Sequence, residues 1–183
     1  MHKLQASLPQ QLTYHSLSHT LDVLKQARHV AHKEGVTCPE DLLLLQVAVL
    51  YHDTGFIYTY QNHEAQGCLL VQQELPAFGF NEEQIEKVCG LIRATKIPQD
   101  PQSHLEQIIC DADLDYLGRE DFSQIARELF RELVSYQLIE GEDEWNALQV
   151  AFLEKHRYFT NFSKRNREKK KQAHLAQLRT KVA

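Results

Sequence analysis

Long apolar runs are missing from this 183-residue chain: no window reaches the length needed to span a bilayer. The cysteines are few and scattered. Cys38, Cys68, Cys89 and Cys110 stand singly, without a CxxC pair, which excludes a secreted disulfide scaffold and argues against a cysteine-built structural zinc site. They read as reduced, mostly buried small apolar residues. The opening residues, MHKLQASLPQQLTYHS, have no apolar core of a secretion signal, so a cytoplasmic location is expected. On that expectation the glycosylation sequon at Asn161-Phe162-Ser163 reads as chance. Glycine and proline are scarce, at 7 and 5 residues, and no stretch alternates as a strand pair with a tight turn would. Long helices joined by short loops fit both absences.

What is present is an ordinary globular composition, 43% hydrophobic and 25% charged, which argues against disorder. The charge is unevenly spread. Residues 1–153 hold 10 Lys and Arg against 23 Asp and Glu, whereas residues 154–183 hold 10 against 2. A basic end facing an acidic body can dock on it, remain solvated, or bind nucleic acid; KRNREKKKQAHLAQLR has helical spacing and no interleaved aromatics, so nucleic acid is not expected. Apolar residues recur at helical spacing from Ser16 to about Glu34. Pro39-Glu40-Asp41 then opens a helix that is apolar on nearly all sides through LLLLQVAVLY. Further helices are predicted from about His63 to Leu75, after an Asn81 N-cap, from Leu105 to Leu117, Asp121 to Ile139, Asp143 to Phe159 and Ser163 to Val182. The expectation is an all-α orthogonal bundle of roughly eight helices. It forms a single domain over 1–183, with the basic helix at about 163–182 docked on the body or extending from it.

The chemistry concentrates in three distant stretches. VAVLYHDTGFIY ends an apolar helix in His52-Asp53, and Gly55 reads as the helix breaker. A histidine and a carboxylate beside a core are costly to bury without partners. YHSLSHTLDV supplies His19, and CDADLD, Cys110 to Asp115, supplies aspartates. Two imidazoles and two carboxylates suit an octahedral Mn, Fe, Co, Ni or Mg ion better than a tetrahedral structural zinc. Singly, each residue also has a plain structural reading as a surface or helix-end group; together they point to a divalent metal.

The ordered pattern His19, His52-Asp53 and Asp113 resembles that of the HD superfamily of metal-dependent phosphohydrolases, which are all-helical. LEQIICDADLDYLGREDF and EWNALQVAFLEKHRYFT are similar to a subgroup of small bacterial HD proteins. The resemblance implies that His19, His52, Asp53 and Asp113 bind one divalent ion, with Asp111 the second choice for the last ligand. It also implies that His15 acts as the acid. His15 and His19, spaced i and i+4, are neighbours if the first helix includes both. His63 and Glu64 would assist with substrate or a second metal, and Lys96 or Arg93 would offset phosphate charge.

By this resemblance the chain is a phosphohydrolase, a monoesterase or diesterase, acting on a nucleotide or other small phosphoester through metal-activated water; the alternative is a catalytically silent ligand sensor or interaction module. The helping glutamate of the HDxxE branch is absent, since the chain reads His52-Asp53-Thr54-Gly55-Phe56, and the extra histidine pair and GYP signature of the cyclic-di-GMP branch are missing too. A mononuclear site follows. No membrane partner is expected, and a homodimer is among the assemblies the sequence allows.

Overall fold

Local signals set the helix ends. The computed structural model, which describes residues 9–182, places Ser16 as the N-cap of α1 (Leu17–Lys33), its side chain accepting from the His19 amide. Pro39 starts α2 (Pro39–Tyr51), where Glu40 and Asp41 sit favourably at the positive end of the helix dipole. A 3-10 turn at Thr54–Ile57 leads to α3 (His63–Glu74), and a second at Leu75–Phe78 follows it. Reciprocal capping boxes, Asn81 with Gln84 and Ser103 with Glu106, open α4 (Glu82–Ala94) and α5 (His104–Asp113). After a third 3-10 turn, Asp115–Gly118, come α6 (Phe122–Ser135), α7 (Glu142–Lys155), α8 (Asn161–Asn166) and α9 (Glu168–Val182). The architecture is all-α, with nine α-helices and no strand among the described residues.

Five details differ from the sequence expectation. His15 lies outside α1, because Ser16 in extended geometry caps the helix after it. The helix expected to reach Leu117 stops at Asp113 and continues as a 3-10 turn; that expected to reach Phe159 stops at Lys155. The last helix divides at Arg167, where Gly118 presses so close that a Cβ there would lie 2.5 Å from the Arg167 carbonyl oxygen. Finally, α2 is not buried on all sides: Leu44, Leu45, Ala48 and Val49 are buried, while Leu43 is 49% exposed.

Two apolar clusters share the chain. The first joins α1 through α5, with Val23, Ala27, Leu45, Val49, Ile92 and Ile108 near its middle. The second gathers Leu114, Tyr116, Phe122, Leu153 and Leu175, together with Tyr14 from the segment before α1. The basic α9 lies against α7 and the Asp115–Gly118 turn. Cations of this end meet acids: Arg179 pairs with Glu154 at 2.7 Å, and Arg167, just before the helix, with Asp115 at 2.8 Å. Where the first cluster gives way to the second, the start of α1 and the ends of α2 and α5 converge.

Candidate metal centre

That convergence is polar. His19 from the first turn of α1, His52 from the end of α2 and Asp113 from the end of α5 each bring one ligand atom to within 4.8 Å of the others. His19 Nε2 lies 3.1 Å from Asp113 Oδ1 and 3.4 Å from Asp53 Oδ2; His52 Nε2 lies 3.2 Å from Asp53 Oδ2 and 3.5 Å from Asp113 Oδ1. The helix ending explains how neighbouring residues converge. His52 keeps helical backbone, Asp53 turns to φ −102° and ψ 0°, and the 3-10 turn carries the chain away. Gly55 serves here by closeness rather than by breaking the helix: a Cβ on it would stand 1.9 Å from the His63 carbonyl oxygen. Only glycine lets α3 start against the His52-Asp53 turn.

His52 is 1% exposed, and its Nδ1 donates to the Val49 carbonyl at 2.7 Å, which fixes the tautomer and turns the Nε2 lone pair into the cluster. His52 Nε2 and Asp53 Oδ2 are nevertheless buried without a hydrogen-bond partner. Burial would lower the His52 pKa, but the charges of Asp53 and Asp113 outweigh it and raise it well above the ordinary 6.5. Burial pushes Asp53 and Asp113 upward, yet the imidazoles beside them hold both below the usual carboxylate range. A field that draws a proton onto His52 this strongly favours a cation, and two nitrogens with two carboxylates are a donor set for a divalent ion. The residues present therefore fit a metal.

The acidic stretch sends its aspartates three ways. Asp113 faces the imidazoles. Asp111, fully buried, accepts from the Phe159 and Thr160 amides at 2.8 Å each and from the Thr160 hydroxyl at 2.6 Å. Those bonds occupy both its oxygens and position the N-cap of α8, so it is not available as the second choice of ligand. Asp115 pairs with Arg167 and, at 3.5 Å, with Arg119.

Around the cluster stands a ring of aromatic and acid–base groups. Phe56, from the 3-10 turn, stacks with the imidazoles of both His15, 4.2 Å away, and His63, 3.8 Å away. His15 Nδ1 hydrogen-bonds Glu132 Oε1, and the other Glu132 oxygen accepts the Tyr14 and His15 amides at 2.9 and 3.0 Å. Tyr60 donates to Glu132 as well, at 3.1 Å. Although outside α1, His15 thus stands with its ring centroid 6.1 Å from that of His19. Burial would lower the His15 pKa, but the Glu132 hydrogen bond and the Asp53 charge raise it above 6.5. His63 shifts the other way: burial lowers it, and Asp53 and Glu64, with carboxylates 3.7 and 3.6 Å away, offset only part. Glu64 is buried.

The two basic candidates stand apart from this group. Lys96 follows Thr95, which lines the cavity, but is itself exposed and donates to Asn62 Oδ1 at 3.1 Å. Arg93 turns along the exposed side of α4 to Glu86. Conversely, Glu132 was not among the sequence candidates. It occupies one position of an amphipathic helix rich in Glu and Arg, and no local pattern separates it from a solvated acid.

Asp53, Asp113, His15, His63 and Glu64 form the head of a cavity of about 390 Å³ whose remaining walls come largely from α6 and α7. No helix among the described residues is long and apolar enough to cross a membrane. In comparison with known proteins, residues 16–117 match the model of the HD domain family. A crystal structure of a predicted HD superfamily hydrolase from an uncultured Thermotogales bacterium has a similar fold, with a TM-score of 0.61 and 19% identity, over 100% of this chain and 91% of that one. No curated protein matches the sequence.

Proposed function

The chain belongs to the HD domain family, and from that premise we propose that it is a metal-dependent phosphohydrolase cleaving a small phosphoester. The observation that carries the reading is the unpartnered pair His52 Nε2 and Asp53 Oδ2, buried beside His19 and Asp113, with Asp53 and Asp113 facing the cavity. These four side chains would hold one divalent ion. Bound there, the ion supplies a Lewis acid for the phosphoryl oxygen and for the attacking water.

The chain's own groups divide the proton work. Glu132 occupies His15 Nδ1, so Nε2 is the ring nitrogen left for the cavity, and the raised pKa favours the protonated imidazole. His15 is then the acid that gives a proton to the leaving oxygen. His63, shifted downward across the Phe56 ring, stays neutral and can accept a proton from water beside Asp53. Opposite shifts in neighbouring groups are the pattern of an acid and base pair. Water oxygen adds to phosphorus, the bond from phosphorus to the leaving oxygen breaks, and an alcohol and phosphate result.

The test is a phosphoester panel assayed with Mn, Co, Ni and Mg on wild type and Asp113→Ala. Metal-dependent turnover that the substitution abolishes is expected. Protein that loads metal yet cleaves nothing in the panel would instead be a catalytically silent sensor.

A further inference from the structure

The walls of the cavity point to the kind of ester it takes. Along α6, Phe122, Ala126, Leu129 and Leu133 follow at steps of four, three and four, so one helix face lines the cavity. That face runs for about 16 Å. Trp145, Leu148 and Phe152 of α7 line the cavity too, again at helical steps. Two such faces would ordinarily close on one another as core; here they wall part of the cavity of about 390 Å³, continuous with the polar head at Asp53 and Asp113. Leu148 and Ile97, 44% and 50% exposed, mark its rim.

Charge and hydrogen bonding narrow the occupant. Among the described residues no lysine or arginine lines the cavity, and Gln149 is its one side-chain amide. A nucleobase and ribose would leave many polar groups unpaired against such walls, each costly to bury. A polyphosphate would bring more charge than the metal cluster and His15 answer, since among the described residues no lysine or arginine lines the walls. An apolar group gains from every methylene it buries there.

We propose that the substrate is the phosphomonoester of an apolar alcohol, its phosphoryl group at the His and Asp cluster and its hydrocarbon part between α6 and α7. This rests on the phosphohydrolase reading above. Hydrolysis adds water oxygen to phosphorus, breaks the bond to the alcohol oxygen, which takes a proton, and releases the alcohol and inorganic phosphate.

The test is a series of n-alkyl phosphates from ethyl to decyl, with adenosine monophosphate as comparator, assayed for phosphate release by the Mn-loaded protein. kcat/KM should rise about fourfold per added methylene until the cavity is filled. Octyl phosphate should exceed ethyl phosphate by about 100-fold or more, the value of about three to four of its six added methylenes, and should exceed the nucleotide as well. Equal rates along the series, or preference for the nucleotide, overturn the proposal while leaving the phosphohydrolase reading intact.

If no ester is cleaved, that reading fails and binding decides the cavity's role. Trp145 is the only tryptophan in the chain, so its emission reports occupancy directly. Octylphosphonate acting about 100-fold below the concentration of ethylphosphonate, the increment of six methylenes or less, supports an apolar site; equal response overturns it. Leu148→Glu, at the exposed rim where folding tolerates it, and Ala126→Phe, which fills the space, should each cut the octyl-to-ethyl ratio about tenfold or more, the value of two or more methylenes. An unchanged ratio in both variants contradicts the assignment.

Discussion

Asp111 and Asp113 are two residues apart at the end of one helix, and they lie in opposite electrostatic situations. Asp111 belongs to a region that fills its hydrogen bonds: two amides and a hydroxyl from residues 159 and 160 reach its oxygens, although burial still raises its pKa. Asp115, next in the series, pairs with Arg167 at 2.8 Å and lies 3.5 Å from Arg119, though its Oδ2 has no hydrogen-bond partner. Asp113 belongs to a region that stabilises its charge yet leaves neighbouring polar atoms unmatched. Around it two imidazoles and two carboxylates crowd together, and His52 Nε2 and Asp53 Oδ2 find no donor or acceptor. The first arrangement fastens the C-terminal segment to the core. The second costs stability unless a cation occupies it, which is how a binding site differs from a structural polar network.

The sharpest way to break the comparison is to exchange the two outcomes. Asp53→Ala or Asp113→Ala should lower metal-dependent activity by about a thousandfold, roughly 4 kcal/mol of transition-state stabilisation. The metal-free protein should also lose some folding stability, since each carboxylate answers the buried imidazoles, but less than Asp111→Ala loses, because the imidazoles can give up their protons. Denaturant unfolding in chelator beside an activity assay separates the effects. Asp111→Ala should do the reverse, costing about 3 kcal/mol or more by stranding two buried amides and a hydroxyl. Metal content per folded molecule should stay at the wild-type level; its loss there would erase the distinction between the regions.

Saturating divalent ion should stabilise wild type by about 2.7 kcal/mol at a hundred times Kd. The same ion should leave Asp113→Ala nearly unchanged, which thermal unfolding with and without chelator will show.

Glu132→Gln should fall between the regions, since Glu132 orients a working group without joining the cluster. We expect about a hundredfold loss of turnover, the lower range for general acid catalysis, with metal affinity kept. Because burial alone would lower His15, the basic limb of the pH–rate profile, which in wild type lies above 6.5, should move down in the variant.

The smallest effect is on stability. His15 has a raised folded pKa, so its contribution is complete below 6.5 and is lost as pH rises through the folded value. Glu132 has a lowered one, so its contribution is present above 4.5 and is lost as pH falls through the folded value. The pair therefore stabilises most between those limits, and a pH series comparing wild type with Glu132→Gln should show the difference peaking there.

The halves of the comparison were unequally legible in the sequence. His19, His52-Asp53 and the acidic stretch announce themselves because such groups at the end of an apolar helix need a partner, and their order carries the family pattern. The helical class and the Pro39 and Asn81 starts follow from local rules of capping and periodicity. Which aspartate turns inward is decided by contacts some 48 residues away, at Phe159 and Thr160, and no local spacing encodes them. Glu132 is hidden for the same reason: it reaches His15 across 117 residues. The cavity was equally silent, since the stripe Phe122, Ala126, Leu129 and Leu133 reads as core whether or not its partner helix closes upon it.

The central claim is that His19, His52, Asp53 and Asp113 form a cation site while Asp111 does not. Elemental analysis of protein purified without added metal, followed by Mn titration of wild type, Asp113→Ala and Asp111→Ala, tests it most directly. The account predicts one tightly held divalent ion in wild type and in folded Asp111→Ala, and none in Asp113→Ala. Equal metal content in wild type and Asp113→Ala would contradict it.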